Sequence, residues 1–237
     1  MSSIDPESSG SGQWTDDRDA RAALSVAATT LGLELTDATT RQLVAYLDLL
    51  ARWTRVYNLT SIRDRSSMRV QHLNDSLAIV ASLRRFCRRV ASNAAPSVLD
   101  VGSGGGLPGV VVALCWPEAQ VTCVDAVGKK TAFLSQVAGS LGVQNLKVIH
   151  GRIEAVQSDR RFDVVTARAF SSLADTVTVT RSLLAPDGVW MLAKGHQPLS
   201  EIAALRPLNV DVFHVERLAV PELEAERHLV WIRLNAR

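Results

Sequence analysis

The chain has 237 residues and 25.7 kDa, 47% of them hydrophobic and 21% charged, enough for a substantial core in one or two domains. This composition excludes collagen-like, mucin-like and disordered chains, and the longest purely apolar run, Val110 to Trp116, falls far short of the roughly 20 residues a spanning helix needs. The net charge of +2 is uneven: residues 1–20 carry −4, residues 21–95 hold eleven Arg against five acids, and residues 96–237 balance, which points to a polyanionic partner for the middle segment.

Cys87, Cys115 and Cys123 are an odd set in no CxxC pattern, so a reducing compartment is expected. The first seven residues have neither a basic start nor an apolar stretch, so no secretory signal is visible. The expectation is a soluble, cytoplasmic protein.

Residues 1–19 are mostly Ser, Gly and Asp and read as a disordered tail. From Arg21 the pattern turns helical. Leu43, Tyr46, Leu47, Leu50, Trp53 and Tyr57 recur at three- and four-residue steps, with Thr36 and Thr39 as candidate caps. A second helix is expected through His72, Leu73, Leu77, Ile79, Val80, Leu83 and Phe86. Residues 20–95 therefore read as an N-terminal helical subdomain.

At Pro96 the period changes. Ser97–Val101 reads as a buried strand, followed by candidate strands at Gln120–Asp125, Asn145–His150, Phe162–Ala167 and Val189–Ala193. Helical stretches lie between them at Pro108–Cys115, Lys129–Leu141 and Ser172–Leu184, and a further helix is expected near Leu199–Leu205. This alternation predicts an α/β fold with a parallel, doubly wound, Rossmann-like sheet over residues 96–237. Val210–Val215 and Leu229–Leu234 have no helix between them and predict a C-terminal antiparallel hairpin.

Asp100-Val101-Gly102-Ser103-Gly104-Gly105-Gly106-Leu107-Pro108-Gly109 follows the first strand and opens a helix, where small residues let backbone N–H groups approach a ligand. Gly104, Gly106 and Gly109 fit the dinucleotide fingerprint G-x-G-x-x-G. Asp100, Gly102, Gly104 and Gly106 fit D-x-G-x-G-x-G, the loop of S-adenosylmethionine-dependent methyltransferases. The acid at Asp100 favours the second template, because it can accept from a cationic amino group. Asp125 ends the second strand, where a carboxylate can accept from ribose hydroxyls in either reading.

With these residues placed, the chain resembles the glucose-inhibited division protein B (RsmG) family, bacterial methyltransferases acting on N7 of a guanine in small-subunit (16S) ribosomal RNA. The resemblance runs from about Leu43 to Leu234. It rests on Tyr57-Asn58-Leu59-Thr60, His72-Leu73-Asn74-Asp75-Ser76-Leu77, the glycine loop, Asp125, Gly128-Lys129-Lys130 with Phe133-Leu134, Arg152-Ile153-Glu154, Arg168-Ala169-Phe170, Lys194-Gly195 and Glu226-Arg227-His228. Thr54 and Gln71 depart from the pattern, standing where Asn and Arg are usual. The resemblance implies S-adenosyl-L-methionine as cofactor and the small-subunit RNA or 30S subunit as partner. It also implies that Gly102 and Leu107 contact the cofactor, that Ile153 and Glu154 bracket its adenine, and that Arg168 reaches the active site. With Gly104 and Asp125 from the loop reading, these form the expected cofactor site. A monomer is expected.

The motifs also bound the chemistry. Methylation of exocyclic amines usually brings Asn/Asp-Pro-Pro-aromatic after the fourth strand; here the exit is Thr166-Ala167-Arg168-Ala169-Phe170. Guanine N7 has a free lone pair and loses no proton on attack, so no general base is expected, and Arg168 is the best candidate for positioning substrate or cofactor. Its alternative is an ion pair with Asp163 or Asp175. His72, Asp75 and Ser76 lack a nucleophile elbow and do not form a hydrolase triad; an inter-domain hydrogen-bond cluster or a helix cap is expected instead. No His or Cys spacing predicts a metal site. Arg84, Arg85, Arg88, Arg89 and Lys194 are the candidate RNA-binding residues, against the alternative of a solvated basic helix. A small-molecule methyltransferase, a nicotinamide-dependent dehydrogenase and a non-catalytic nucleotide-binding module remain as competing readings.

Overall fold

The computed structural model describes residues 17–89, 95–158 and 160–235. Its centre is a seven-stranded sheet: β1 (Ser97–Val101), β2 (Gln120–Asp125), β3 (Leu146–His150), β4 (Phe162–Arg168), β5 (Leu184–Lys194), β6 (Val210–Arg217) and β7 (His228–Leu234). The strand order is β3-β2-β1-β4-β5-β7-β6. The first five strands are parallel, and β7 runs antiparallel between β5 and β6. The expected C-terminal hairpin is thus present, with its second strand inserted next to β5.

Strand periodicity separates the two faces of the sheet. Val98, Cys123, Val164, Met191 and Trp231 enter one buried cluster, while their neighbours Leu99, Val124, Val165, Leu192 and Ile232 enter the other. The first face is covered by α5 (Gly109–Cys115) and α6 (Gly128–Leu141), and outside these by α1 (Asp17–Thr30), α2 (Asp37–Tyr57) and α4 (Asp75–Arg89). The second face packs on α7 (Leu173–Thr180) and residues after it. The N-terminal helices have no core apart from the sheet; Leu24, Leu43, Leu50 and Leu77 belong to the same cluster as Val98 and Met191.

The helical stripe of α2 forms as expected. Thr36 caps it by accepting from the Thr39 N–H at 3.0 Å, and Leu43, Tyr46, Leu47 and Leu50 are buried. Some boundaries differ. Helix α1 starts at Asp17, so residues 17–19 are helical rather than tail; residues 1–16 and the junction at 90–94 lie outside the described residues. The expected single helix through His72 is in fact α3 (Arg65–Met68), a wide π-type turn at Arg69–Asn74, and then α4. Such a turn re-aims side chains at functional sites, and here Arg69, His72, Asn74 and Asp75 all point inward. Strand β5 begins at Leu184 rather than Val189, because Leu184 pairs with Phe162 before a register shift that Pro186 and Gly188 concealed. The expected helix to Leu184 stops at Thr180 and ends in the tight turn Arg181–Leu183.

Among the described residues, no helix is long and apolar enough to cross a membrane, and no cluster of His, Cys, Asp and Glu suits a metal ion.

Candidate active site

The site lies at the carboxyl edge of the parallel strands, where ligands bind in open α/β sheets. The loop from β1 to α5 folds back over β2, with the Gly102 and Ser103 N–H groups donating to the Val124 carbonyl at 2.9 and 3.1 Å. Gly102 holds φ +64°, and a Cβ there would come within 2.4 Å of Phe170 Cδ2. Both the backbone angle and the ring of Phe170 therefore require glycine.

Beneath the loop, Asp100 is 1% exposed. Its Oδ2 accepts from the Gly109 N–H at 3.0 Å, while Oδ1, also buried, has no hydrogen-bond partner among the described residues. Burial pushes the Asp100 carboxyl up to about 7, an effect that the Gly109 N–H and Ser103, and Arg168 farther off, only partly offset. A buried acceptor with no donor calls for a ligand donor, and a cationic amino group fits it.

Asp125 closes β2. Its Oδ2 accepts from the Gly104 N–H and its Oδ1 from the Val127 N–H, each at 2.9 Å, so the acid and the glycine loop hold each other. Each oxygen retains a lone pair for a hydroxyl donor. Across the edge, the short turn Ile153–Ala155 after β3 presents buried Ile153 and exposed Glu154 side by side. Gly102, Gly104, Asp125, Ile153 and Glu154 therefore share one edge. Leu107 joins them by backbone, while its side chain belongs to the core of the helical face.

Arg168 ends β4 and pairs with neither acid expected for it. Asp163 accepts from the Ser97 N–H and hydroxyl, and Asp175 from the Ser172 hydroxyl. Arg168 Nη1 instead donates to Asp75 Oδ2 at 2.8 Å and to the Gln71 carbonyl at 3.2 Å. The other oxygen of Asp75 accepts from Arg227 Nε at 2.9 Å. One carboxylate, 1% exposed, thus bridges two guanidinium groups brought from β4 and from the start of β7's approach. Gln71 serves through its carbonyl, so its side-chain departure from the family pattern leaves this contact intact.

His72 completes the cluster. Its Nδ1 lies 3.4 Å from Arg168 Nη2 and its Nε2 2.9 Å from Thr60 Oγ1. Burial, and then the Arg168 charge, bring His72 down to about 4, so the ring is neutral at pH 7. Because Arg168 can only donate, we assign Nδ1 as acceptor and Nε2–H as donor to Thr60. Of the three residues expected in a hydrogen-bond cluster, His72 and Asp75 form one with Arg168 and Arg227, and Asn74 extends it to the Pro221 carbonyl; the Ser76 hydroxyl is buried with no hydrogen-bond partner among the described residues. No spacing in the sequence pairs His72 and Asp75 with Arg168 and Arg227. The only signal is that all four residues stand in the motifs carrying the resemblance.

The expected RNA-binding residues separate. Arg84 donates to the Cys115 carbonyl and lies 5.4 Å from the Trp116 ring centroid, and Arg85 pairs with Glu216 at 2.5 Å. Lys194 donates to the Ser171 carbonyl at 2.9 Å and to Glu201 at 2.7 Å. Arg84 and Lys194 are half-buried and committed to the fold, whereas Arg85, though paired, keeps its side chain 48% exposed. Arg88 and Arg89 are exposed. However, they sit thirteen and fourteen residues along α4 from Asp75, about 20 Å away, beside the end of α5 and thus at the opposite edge of the sheet.

Burial keeps all three cysteines as neutral thiols. Burial raises Cys87 to about 11, Cys115 to about 12 and Cys123 well above its ordinary value.

Residues 39–230 match the family described as rRNA small subunit methyltransferase G. Among curated relatives, ribosomal RNA small subunit methyltransferase G of Leptothrix cholodnii is 53% identical over 213 residues, covering 90% of this chain and 95% of that protein. Its counterpart in Acidovorax ebreus is 52% identical over 215 residues, covering 89% and 94%. The fold is similar to a solved Burkholderia thailandensis 1,6-didemethyltoxoflavin-N1-methyltransferase with bound S-adenosylhomocysteine (TM-score 0.57, 16% identity, 78% of this chain and 89% of that one).

Proposed function

The chain belongs to the rRNA small subunit methyltransferase G family, and from that premise we propose that it transfers the methyl group of S-adenosyl-L-methionine to N7 of a guanine in 16S ribosomal RNA. It acts as a monomer in the cytoplasm, where its ribosomal substrate is assembled.

The observation that carries the cofactor assignment is the unpartnered Oδ1 of Asp100 under the glycine loop. Asp100 would accept from the amino group of the cofactor, Asp125 from its ribose hydroxyls, and Ile153 and Glu154 would flank its adenine. When bound, S-adenosyl-L-methionine supplies an electrophilic methyl group on a sulfonium centre. The chain's own task is to orient the acceptor, since an in-line displacement onto a free lone pair gains chiefly from positioning. Arg168, fixed by Asp75, Gln71 and His72, presents its guanidinium at the end of β4. His72 is spent on Arg168 and Thr60, and Asp100 would be spent on the cofactor's amino group, so neither serves as a general base; N7 needs none.

Gly102→Ala is expected to weaken cofactor binding at least tenfold by calorimetry, because the added Cβ collides with Phe170 at a left-handed backbone position costing roughly 1–2 kcal/mol. The reaction class itself is tested with methyl-labelled cofactor, offered to ribosomal subunits from cells lacking the enzyme or to a small-molecule extract. Label is expected in the RNA of the small subunit. Label only in the extract would move the assignment to a small-molecule acceptor.

A further inference from the structure

The large apolar side chains that remain exposed are not scattered. Among the described residues they are Val26, Val56, Tyr57, Val127, Phe170 and Leu199. Four of the six surround the mouth of the site. Phe170 lies against Gly102, and Val127 follows Asp125 at the entry to α6. Val56 and Tyr57 end α2, whose direction is set by two contacts: Gln42 donates to the Leu141 carbonyl at the end of α6, and Trp53 meets Phe133 nearer its start, with ring centroids 5.5 Å apart. The helices are therefore antiparallel, and one turn beyond Trp53 brings Tyr57 level with the first turn of α6.

Cations accompany these side chains. Arg52 and Arg55 on α2 and Lys129 on α6 are exposed. Unlike Arg84, Arg85 and Lys194, they have no hydrogen-bond or acid partner among the described residues. The acids of this edge offer little competition: Asp125 is buried against backbone amides, and Asp64 accepts from the Ser67 N–H, leaving Glu154 as the exposed carboxylate at the far side. Tyr57 is 42% exposed and is backed by the Trp53 ring at 4.9 Å, which leaves its outer face to stack on a planar group.

We propose that this rim, formed by the last turns of α2 and the first turn of α6, is the surface that grips the RNA strand around the target guanine. Arg52, Arg55 and Lys129 meet phosphates, and Tyr57 stacks an unpaired base. Unstacked bases on aromatic side chains within a basic groove are the common mode for single-stranded RNA. The rim adjoins the methyl-transfer edge, which the basic end of α4 does not. This inference rests on the proposed function.

The test compares Arg55→Glu/Lys129→Glu, Tyr57→Ala and Arg88→Glu/Arg89→Glu on small subunits from cells lacking the enzyme. The first variant should raise the subunit KM at least tenfold and lower the slope of log affinity against log salt by about 1.5, as two lost phosphate contacts require. Tyr57→Ala should raise KM about tenfold, and Tyr57→Phe, which keeps the stacking face, should restore it. Cofactor Kd and melting temperature should match the parent in the charge variant. Parental KM and salt slope in Arg55→Glu/Lys129→Glu, with the loss appearing in Arg88→Glu/Arg89→Glu, would overturn the assignment and place the surface at the far end of α4. Failure of the parent protein to methylate any RNA would instead overturn the reading beneath it, and the two failures are distinguishable.

Discussion

Asp75→Ala is expected to lower the melting temperature by on the order of 10 °C and to cut kcat/KM sharply. Removing this carboxylate leaves the Arg168 and Arg227 guanidinium groups facing each other, both largely buried, without the charge that joins them. Breaking a buried pair by deleting one partner costs about 3–5 kcal/mol, and in a chain of this size each kcal/mol shifts the melting temperature by about 2–4 °C. The catalytic loss has a separate origin. Without Asp75, Arg168 keeps only the Gln71 carbonyl and the weak contact to His72, so its head group is no longer fixed at the strand end. Asp75→Asn should recover part of the stability, since an amide oxygen still accepts, but little of the activity, since its neutral charge holds Arg168 less firmly. Calorimetric melting beside steady-state kinetics separates the two effects. An Asp75→Ala protein that melts and turns over like the parent would remove the bridge from the account.

Asp100→Asn should weaken S-adenosyl-L-methionine binding by about 10- to 100-fold, the worth of one charge-assisted hydrogen bond of about 1.5–3 kcal/mol. It should also abolish the pH dependence of that binding near neutrality. In the free protein burial holds the Asp100 carboxyl at about 7, against an ordinary value of 3.8. Between these values the folded chain keeps a proton that the unfolded chain has lost. The stability this contributes is fully present below 3.8 and is lost as pH rises through about 7. A cationic amino group selects the ionised carboxylate, so below pH 7 cofactor binding must expel the proton. Affinity therefore rises toward tenfold per pH unit up to about 7 and then levels. Calorimetry from pH 5.5 to 8 in two buffers of different ionisation enthalpy reads both the slope and the proton release. A flat profile in the parent would show that Asp100 does not meet the cofactor's amino group.

The parts of this molecule legible in its sequence are those set by local spacing. The short strands announce themselves because their side chains alternate between two buried faces, and the glycine loop because Gly102, Gly104 and Gly106 all adopt left-handed backbone angles that other residues avoid. Asp125 could be placed at the cofactor edge because it ends β2 directly opposite that loop. The bridge at Asp75 could not be read, because its partners lie 93 and 152 residues away and no period links them. The π-type turn at Arg69–Asn74 was equally hidden, since its residues continue the apolar pattern of α4 while the backbone widens. Arg84 looked like a surface cation because the carbonyl that it binds, that of Cys115, leaves no trace in side-chain chemistry. Lys194 is hidden in the same way by the Ser171 carbonyl, and it also pairs with Glu201. The start of α1 was obscured by Asp17, Arg18 and Asp19, charged residues that suit a helix's first turn as well as a tail.

Methyl transfer to N7 without a general base predicts the identity of the methylated nucleoside. Small-subunit RNA labelled by the purified protein and digested to nucleosides should carry its label in 7-methylguanosine at a single position. Label in an N-methylated exocyclic amine or a carbon-methylated pyrimidine would contradict it, because either product needs a proton acceptor or a cysteine nucleophile, neither of which the proposed reaction uses.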